Sequence, residues 1–234
     1  MWDRKQLKAN AKELIKPNYW KVVVASLVLM FAMGSSGSTG STAVRNSDVQ
    51  DELSTAVASM DPVTSIAAFG LILSVIAVAM VISIVVKIFV WNPLVIGAQK
   101  MFLNCKTDSA EYGDLAFGFK NSYGNIAKTM FLKDLFVSLW SLLFVIPGII
   151  KGYEYRMVPY ILAENPQMSS KDAFAKSKQM MTGNKWNAFV LDLSFFGWVI
   201  IMFITCGIAG IFFVNPYVFL TDAELYHELK KKIS

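Results

Sequence analysis

Six ionisable residues stand inside long apolar runs of this sequence: Lys87, Lys133, Asp134, Glu154, Arg156 and Asp192. A lone charge at the centre of a membrane helix costs about 3 kcal/mol, so each such group must be paired, hydrated or near the interface. Two uses follow. Carboxylates lining a polar path would bind a cation, a proton or a substrate ammonium. The same groups paired across helices, for example Asp134 or Asp192 with Arg156, Lys133 or Lys87, would instead hold the helices together. We prefer the second use.

Other chemistry is hard to find. His227 in Leu225-Tyr226-His227-Glu228-Leu229 resembles half of a zinc-binding HExxH, but Lys231 stands where the second histidine belongs, so no metal site is expected. Asp108, Glu111 and Asp114 recur at three-residue spacing without a fourth ligand, and read as solvating a helix. There is no Walker loop, no GxGxxG and no GxSxG, so no catalytic residue, cofactor or coupling to ATP is expected.

The elements that would position the six charges are membrane helices. The 234 residues are 55% hydrophobic and 17% charged, with a mean hydropathy of +0.47, which is poorer in charge than soluble domains. The net charge of +5 comes from Lys and Arg lying between apolar segments, where they orient a chain in a bilayer rather than bind nucleic acid. The whole chain, 1–234, therefore reads as one membrane domain of an all-α, polytopic helical bundle.

Residues 3–16 place Leu7, Ala11, Leu14 and Ile15 on one helical face among five basic residues, and predict a surface helix ended by Pro17. An apolar run from Lys21 to Met33 follows. A signal peptide has a similar outline, but the same arrangement recurs later in the chain, which favours a retained span. Residues 34–62, rich in Gly, Ser and Thr, predict a flexible external loop. Val63–Trp91 is long enough to span with tilt. A second surface helix is expected with Tyr112, Leu115 and Phe119 on one face. Then come a span over 126–146, a tight turn at Pro147-Gly148 and a return span over 149–162. A third basic surface helix over 169–182 carries a Ser169/Asp172 cap. The last hairpin runs 186–204 and 208–226, turning at Thr205-Cys206-Gly207. Pro93, Pro159 and Pro216 kink the three return helices, a packing device common in membrane spans. Gly148 and Gly152 form GxxxG, which allows close helix approach and, less directly, a homo-oligomer.

The last two hairpins are copies. Asp134 and Trp140 recur as Asp192 and Trp198 at an offset of 58 residues, Gly148 as Gly207 at 59, and Pro159-Tyr160 as Pro216-Tyr217 at 57. A diverged first copy ends in Trp91-Asn92-Pro93-Leu94, giving repeat units of about 1–104, 105–165 and 166–234. The expectation is about six transmembrane helices as three tandem hairpins, each preceded by an amphipathic surface helix. Basic residues crowd the connections before Tyr19, at 104–128, at 165–185 and at the C-terminus, whereas the opposing connections hold Arg45 and little else. The positive-inside rule places both termini in the cytoplasm. Cys105 and Cys206 would then lie on opposite faces about 30 Å apart and could not pair.

The run Ala173-Phe174-Ala175-Lys176-Ser177-Lys178-Gln179-Met180-Met181-Thr182-Gly183-Asn184-Lys185-Trp186, with Leu193-Ser194-Phe195-Phe196-Gly197-Trp198 and Asn215-Pro216-Tyr217, resembles the signature of bacterial domain-of-unknown-function family 975. The resemblance extends over most of the chain and implies a multi-pass protein of the bacterial cytoplasmic membrane, with no activity or catalytic residues to carry over. The expected function is a non-enzymatic role through the lipid bilayer, anionic lipid at the basic surface helices, or a membrane partner. A small-solute or ion transporter or channel is the second reading, and a membrane-embedded lipid-modifying enzyme the third.

Overall fold

The computed structural model describes residues 2–34, 61–107, 109–205 and 207–233. Among them the chain is helical, with no strand. The loop expected over 34–62 falls almost wholly outside the described residues, as do Arg45, Asp108 and Cys206. The chain divides into two compact units, one of residues 33–87 and one of residues 1–32 with 88–234.

In the smaller unit, α2 (Pro62–Val86) begins with proline in its first turn, where a missing N–H breaks no helical bond. Its surface is apolar on every side, so it has no polar face to offer water.

The larger unit begins with α1 (Arg4–Gly34). Pro17 does not end this helix as expected. It kinks it, and Asn18 absorbs the distortion with a non-helical φ of −113° and ψ of 18°. The proline displaces one carbonyl and removes one N–H, but the apolar run beyond it is strong enough to resume the helix. Nor does the first half of α1 keep its apolar face for lipid: Leu7 and Ala11 are buried in the protein core.

After α3 (Asn92–Asn104), the second surface helix is also replaced by shorter pieces. A 3-10 turn over Tyr112–Ala116 is capped by Asp114, which accepts from the Glu111 backbone N–H at 3.1 Å and from Asn104 Nδ2 at 2.9 Å. The brief α4 (Phe117–Lys120) follows. Tyr112 stays exposed while Leu115 packs on the core, so the expected common face does not form.

The hairpin of α5 (Tyr123–Leu143) and α6 (Val145–Glu154) turns at Phe144, which is extended at φ −154° and ψ 135°. The turn is therefore earlier than the Pro147-Gly148 dipeptide. Pro147 sits inside the first turn of α6, where it lacks only an N–H that has no partner. Gly148 instead brings α6 against Ser141 of α5, because a Cβ there would overlap Ser141.

The chain then leaves the helix at Tyr155–Met157 and resumes as α7 (Val158–Glu164). Next come α8 (Ser170–Met181), capped by Ser169 Oγ accepting from the Asp172 N–H at 3.2 Å, and α9 (Lys185–Leu193). α10 (Phe196–Ile204) and α11 (Asn215–Ile233) complete the chain. Each return-helix proline is buried as the second residue of a new helical segment. A π-turn precedes Pro93 (Lys87–Trp91) and Pro216 (Gly210–Val214), and an open turn precedes Pro159. Widening the preceding turn is how a helix accommodates the proline ring and its missing donor.

The core gathers α7, α11, α3 and the first half of α1, with Tyr160 stacked on Tyr226 at 5.4 Å. The hairpin tips are excluded from it: Leu142 is 85% exposed, Phe203 82% and Val145 72%. So large an exposed apolar surface is foreign to water-soluble monomers. Three helical stretches, Arg4–Ala32, Ile66–Thr107 and Lys185–Ile204, are long and apolar enough to cross a membrane.

Candidate functional site

Five of the six residues singled out from the sequence meet their partners within the larger unit. Arg156 lies in the open turn between α6 and α7, where the chain has left the helix. Its guanidinium forks onto Asp192 of α9, Nη1 donating to Oδ2 at 2.7 Å and Nη2 to Oδ1 at 2.8 Å. Nη2 also donates to Asp222 Oδ1 of α11 at 2.6 Å. The Tyr153 hydroxyl adds a donor to Asp192 Oδ2 at 2.7 Å. A planar fork of donors suits two carboxylates at once in a way that a lysine ammonium does not.

Two residues earlier, Glu154 is buried and accepts from Lys151 at 2.8 Å and from Lys185, at the start of α9, at 2.6 Å. Its backbone carbonyl accepts from the Ser177 hydroxyl of α8 at 2.7 Å. The segment 153–156 thus ties α8, α9 and α11 together, with each carboxylate neutralised where it would otherwise be costly to bury.

Lys133 and Asp134 pair with each other at 3.2 Å on α5. The guanidinium of Arg156 reaches Asp192 and Asp222 instead, so the matched aspartates of the two hairpins have different partners. Lys87 belongs to the smaller unit, where it caps α2 with its N–H on the carbonyls of Ser83 and Ile84. The sequence reading missed Asp222, Tyr153 and Lys185 as members of the network. Asp222 lies six residues beyond Pro216, and no spacing rule within one helix announces a partner on another hairpin.

Two further carboxylates hold the core. Glu224 accepts from Lys106 at 2.7 Å. Glu164 accepts from Lys230 at 2.7 Å and from the Tyr226 hydroxyl at 2.8 Å. Burial pushes the Glu164 carboxyl up, but the Lys230 ammonium and Tyr226 hydroxyl outweigh it and hold its pKa below the usual carboxylate value. A depressed folded-state pKa gives stability that is present above the unfolded value and lost as pH falls through the folded one. Acid titration of the purified protein should therefore loosen the end of α11 from α7, and Glu164→Gln should flatten the acid limb of a stability-against-pH curve. An unchanged limb in the variant would assign the acid sensitivity elsewhere.

Among the described residues, no group of three or more His, Cys, Asp or Glu is placed to hold a metal ion. Asp114, one of the three spaced acids, is engaged in its cap.

Residues 142–233 match the model of a family described as protein of unknown function (DUF975). The chain is similar to that family over less than half of its length. The DUF975 match is narrower than the resemblance read from the sequence, which extended over most of the chain. It nonetheless contains Lys151, Tyr153, Glu154, Arg156, Lys185, Asp192 and Asp222, the whole of the network around Arg156 and Glu154, and leaves out Lys87, Lys133 and Asp134. No curated protein and no solved structure matches the chain.

Proposed function

We propose that this chain is a multi-pass protein of the bacterial cytoplasmic membrane that works without catalysis, through contacts with lipid or a membrane partner. In this reading it is a single membrane domain of three tandem hairpins, six spans in all, with both termini in the cytoplasm. The observation that carries it is the saturation of the network: the carboxylates of Asp192, Asp222 and Glu154 are consumed by Arg156, Lys151 and Lys185. Groups so engaged serve to lock helices and are poorly placed to load and release a solute. The exposed apolar tips supply the lipid contact, and in this reading the basic stripe of α1 meets cytoplasmic lipid headgroups.

A solute or ion path is the second reading. It is favoured by the Oε1 of Gln99, buried beside Tyr160 without a hydrogen-bond partner among the described residues, since an orphaned polar atom in a core invites water or a ligand.

The topology is tested by thiol labelling in intact cells, with Cys105 and Cys206 changed to serine. A cysteine introduced at Lys176 should react only after permeabilisation, and reaction from outside would reverse the orientation. Function is tested with Asp192→Asn in proteoliposomes. Loss of thermal stability with no solute flux in either protein fits the proposal, whereas a stable variant that loses a flux shown by the wild type would put transport first.

A further inference from the structure

The described basic residues divide into those with a carboxylate partner and those without one among the described residues, the latter including Lys171, Lys176 and Lys178 on α8 as well as a longer series on α1. Lys106, Lys133, Lys151, Arg156, Lys185 and Lys230 each have a carboxylate partner. Arg4, Lys8, Lys12 and Lys16 on α1 pair with no carboxylate among the described residues, although they recur every four positions and so stack along one stripe of the helix. Glu13, the acid within this half of α1, lies about 100° or more round the helix from Lys12, Lys8 and Arg4 and about 60° from Lys16, whereas Asp3 precedes the helix. Asp3 is also engaged, accepting from the Lys5 backbone N–H at 3.0 Å.

The stripe is held in place. The neighbouring face of α1 is fixed in the core by Leu7 and Ala11. Lys8 donates to the Ser194 carbonyl at 3.2 Å, one of the groups exposed by the break between α9 and α10, and lies 3.9 Å over the Phe195 ring. Lys12 lies 5.7 Å from the Tyr217 ring, which meets Phe195 edge to face. Arg4 and Lys12 flank Lys8 closely enough to repel it. Like charges set side by side on an aromatic platform, without counter-ions among the described residues, are arranged for an external anion.

The surroundings say which anion. Phe196, beside the platform, and Trp20, one turn beyond Lys16, are both more than 60% exposed, an interfacial arrangement in which an aromatic ring sits at headgroup depth. We infer that Arg4, Lys8 and Lys12 form a docking surface for the phosphate headgroups of anionic phospholipid. This rests on the membrane reading proposed above. Because the apolar face of this half of α1 is spent on the core, the attraction is electrostatic and weakens with salt.

The full-length protein in a neutral detergent is titrated with phosphatidylglycerol or phosphatidylcholine and followed by thermal shift. Phosphatidylglycerol should raise the unfolding temperature, phosphatidylcholine should not, and salt should abolish the difference. Each cation removed should weaken the apparent affinity about fivefold, so the double variant of Arg4→Gln and Lys12→Gln, whose side chains are exposed, should lose about 25-fold. Lys171→Gln with Lys178→Gln on α8 should leave the affinity unchanged. Equal affinity in the α1 variant and the wild type, or an equal loss in the α8 variant, overturns the assignment. So does an equal shift from glycerol phosphate, which would make this a site for soluble phosphate. Failure of the membrane reading is seen separately, as a protein that leaves the membrane fraction without detergent.

Discussion

Arg156→Met should cost about 3 kcal/mol of stability in detergent, more than the loss of any other single charge in the network. The guanidinium is the common partner of Asp192 and Asp222, and its removal leaves two carboxylates near one another with only the Tyr153 hydroxyl on one of them. Breaking a desolvated pair leaves an uncompensated charge, which costs more than the pair itself contributes. Asp192 is the more exposed partner, with 35% of its side chain accessible, which is why the figure stays at the low end for buried pairs. Asp192→Asn should be milder than Arg156→Met, because the arginine keeps Asp222.

The decisive comparison is the triple variant Arg156→Met, Asp192→Asn, Asp222→Asn. With no charge left to compensate, it should recover most of the stability that Arg156→Met loses. Arg156→Lys should recover little, since one ammonium cannot fork onto both carboxylates. Thermal unfolding of the four proteins measures this directly. A triple variant no better than Arg156→Met would show that the guanidinium acts through packing, or through a ligand, rather than by neutralising the two aspartates.

The sequence made the helices and their charges legible because both signals are local. Long apolar runs, the Ser169 cap and the return-helix prolines are read within a few residues, and Asp192 with Arg156 stood out because a charge is conspicuous in an apolar run. What could not be read depended on tertiary contacts. Asp222 sits in the more polar half of α11, where a carboxylate attracts no notice until α11 is packed against Arg156. The surface-helix face of α1 is amphipathic in either setting, and periodicity cannot distinguish a lipid surface from a protein core as the place where Leu7 and Ala11 go. The Pro147 turn was misplaced for a related reason. Proline fits both a tight turn and the first turn of a helix, and the extended Phe144 that decides between them carries no sequence mark.

Glycine gives the second large effect, for backbone reasons. Gly118 of α4 lies so close to Pro93, at the start of α3, that a Cβ would overlap the Pro93 carbonyl, and Gly97 meets the carbonyl of Leu115 in the same way. These contacts are with main chain, which cannot rotate aside as a long side chain can. Gly118→Ala should therefore cost about 2–3 kcal/mol by prising α4 from α3, even though alanine is the better helix former by about 1 kcal/mol. Gly152 is the control: its Cβ would meet open space, so Gly152→Ala should be neutral or slightly stabilising. If Gly152 instead serves a homo-oligomer through the Gly148 and Gly152 spacing, its alanine variant should dissociate the assembly in detergent without lowering monomer stability. Size-exclusion chromatography with light scattering, run beside thermal unfolding, separates these outcomes. A Gly118→Ala protein as stable as the wild type would mean that α4 docks on α3 less closely than the backbone contact requires.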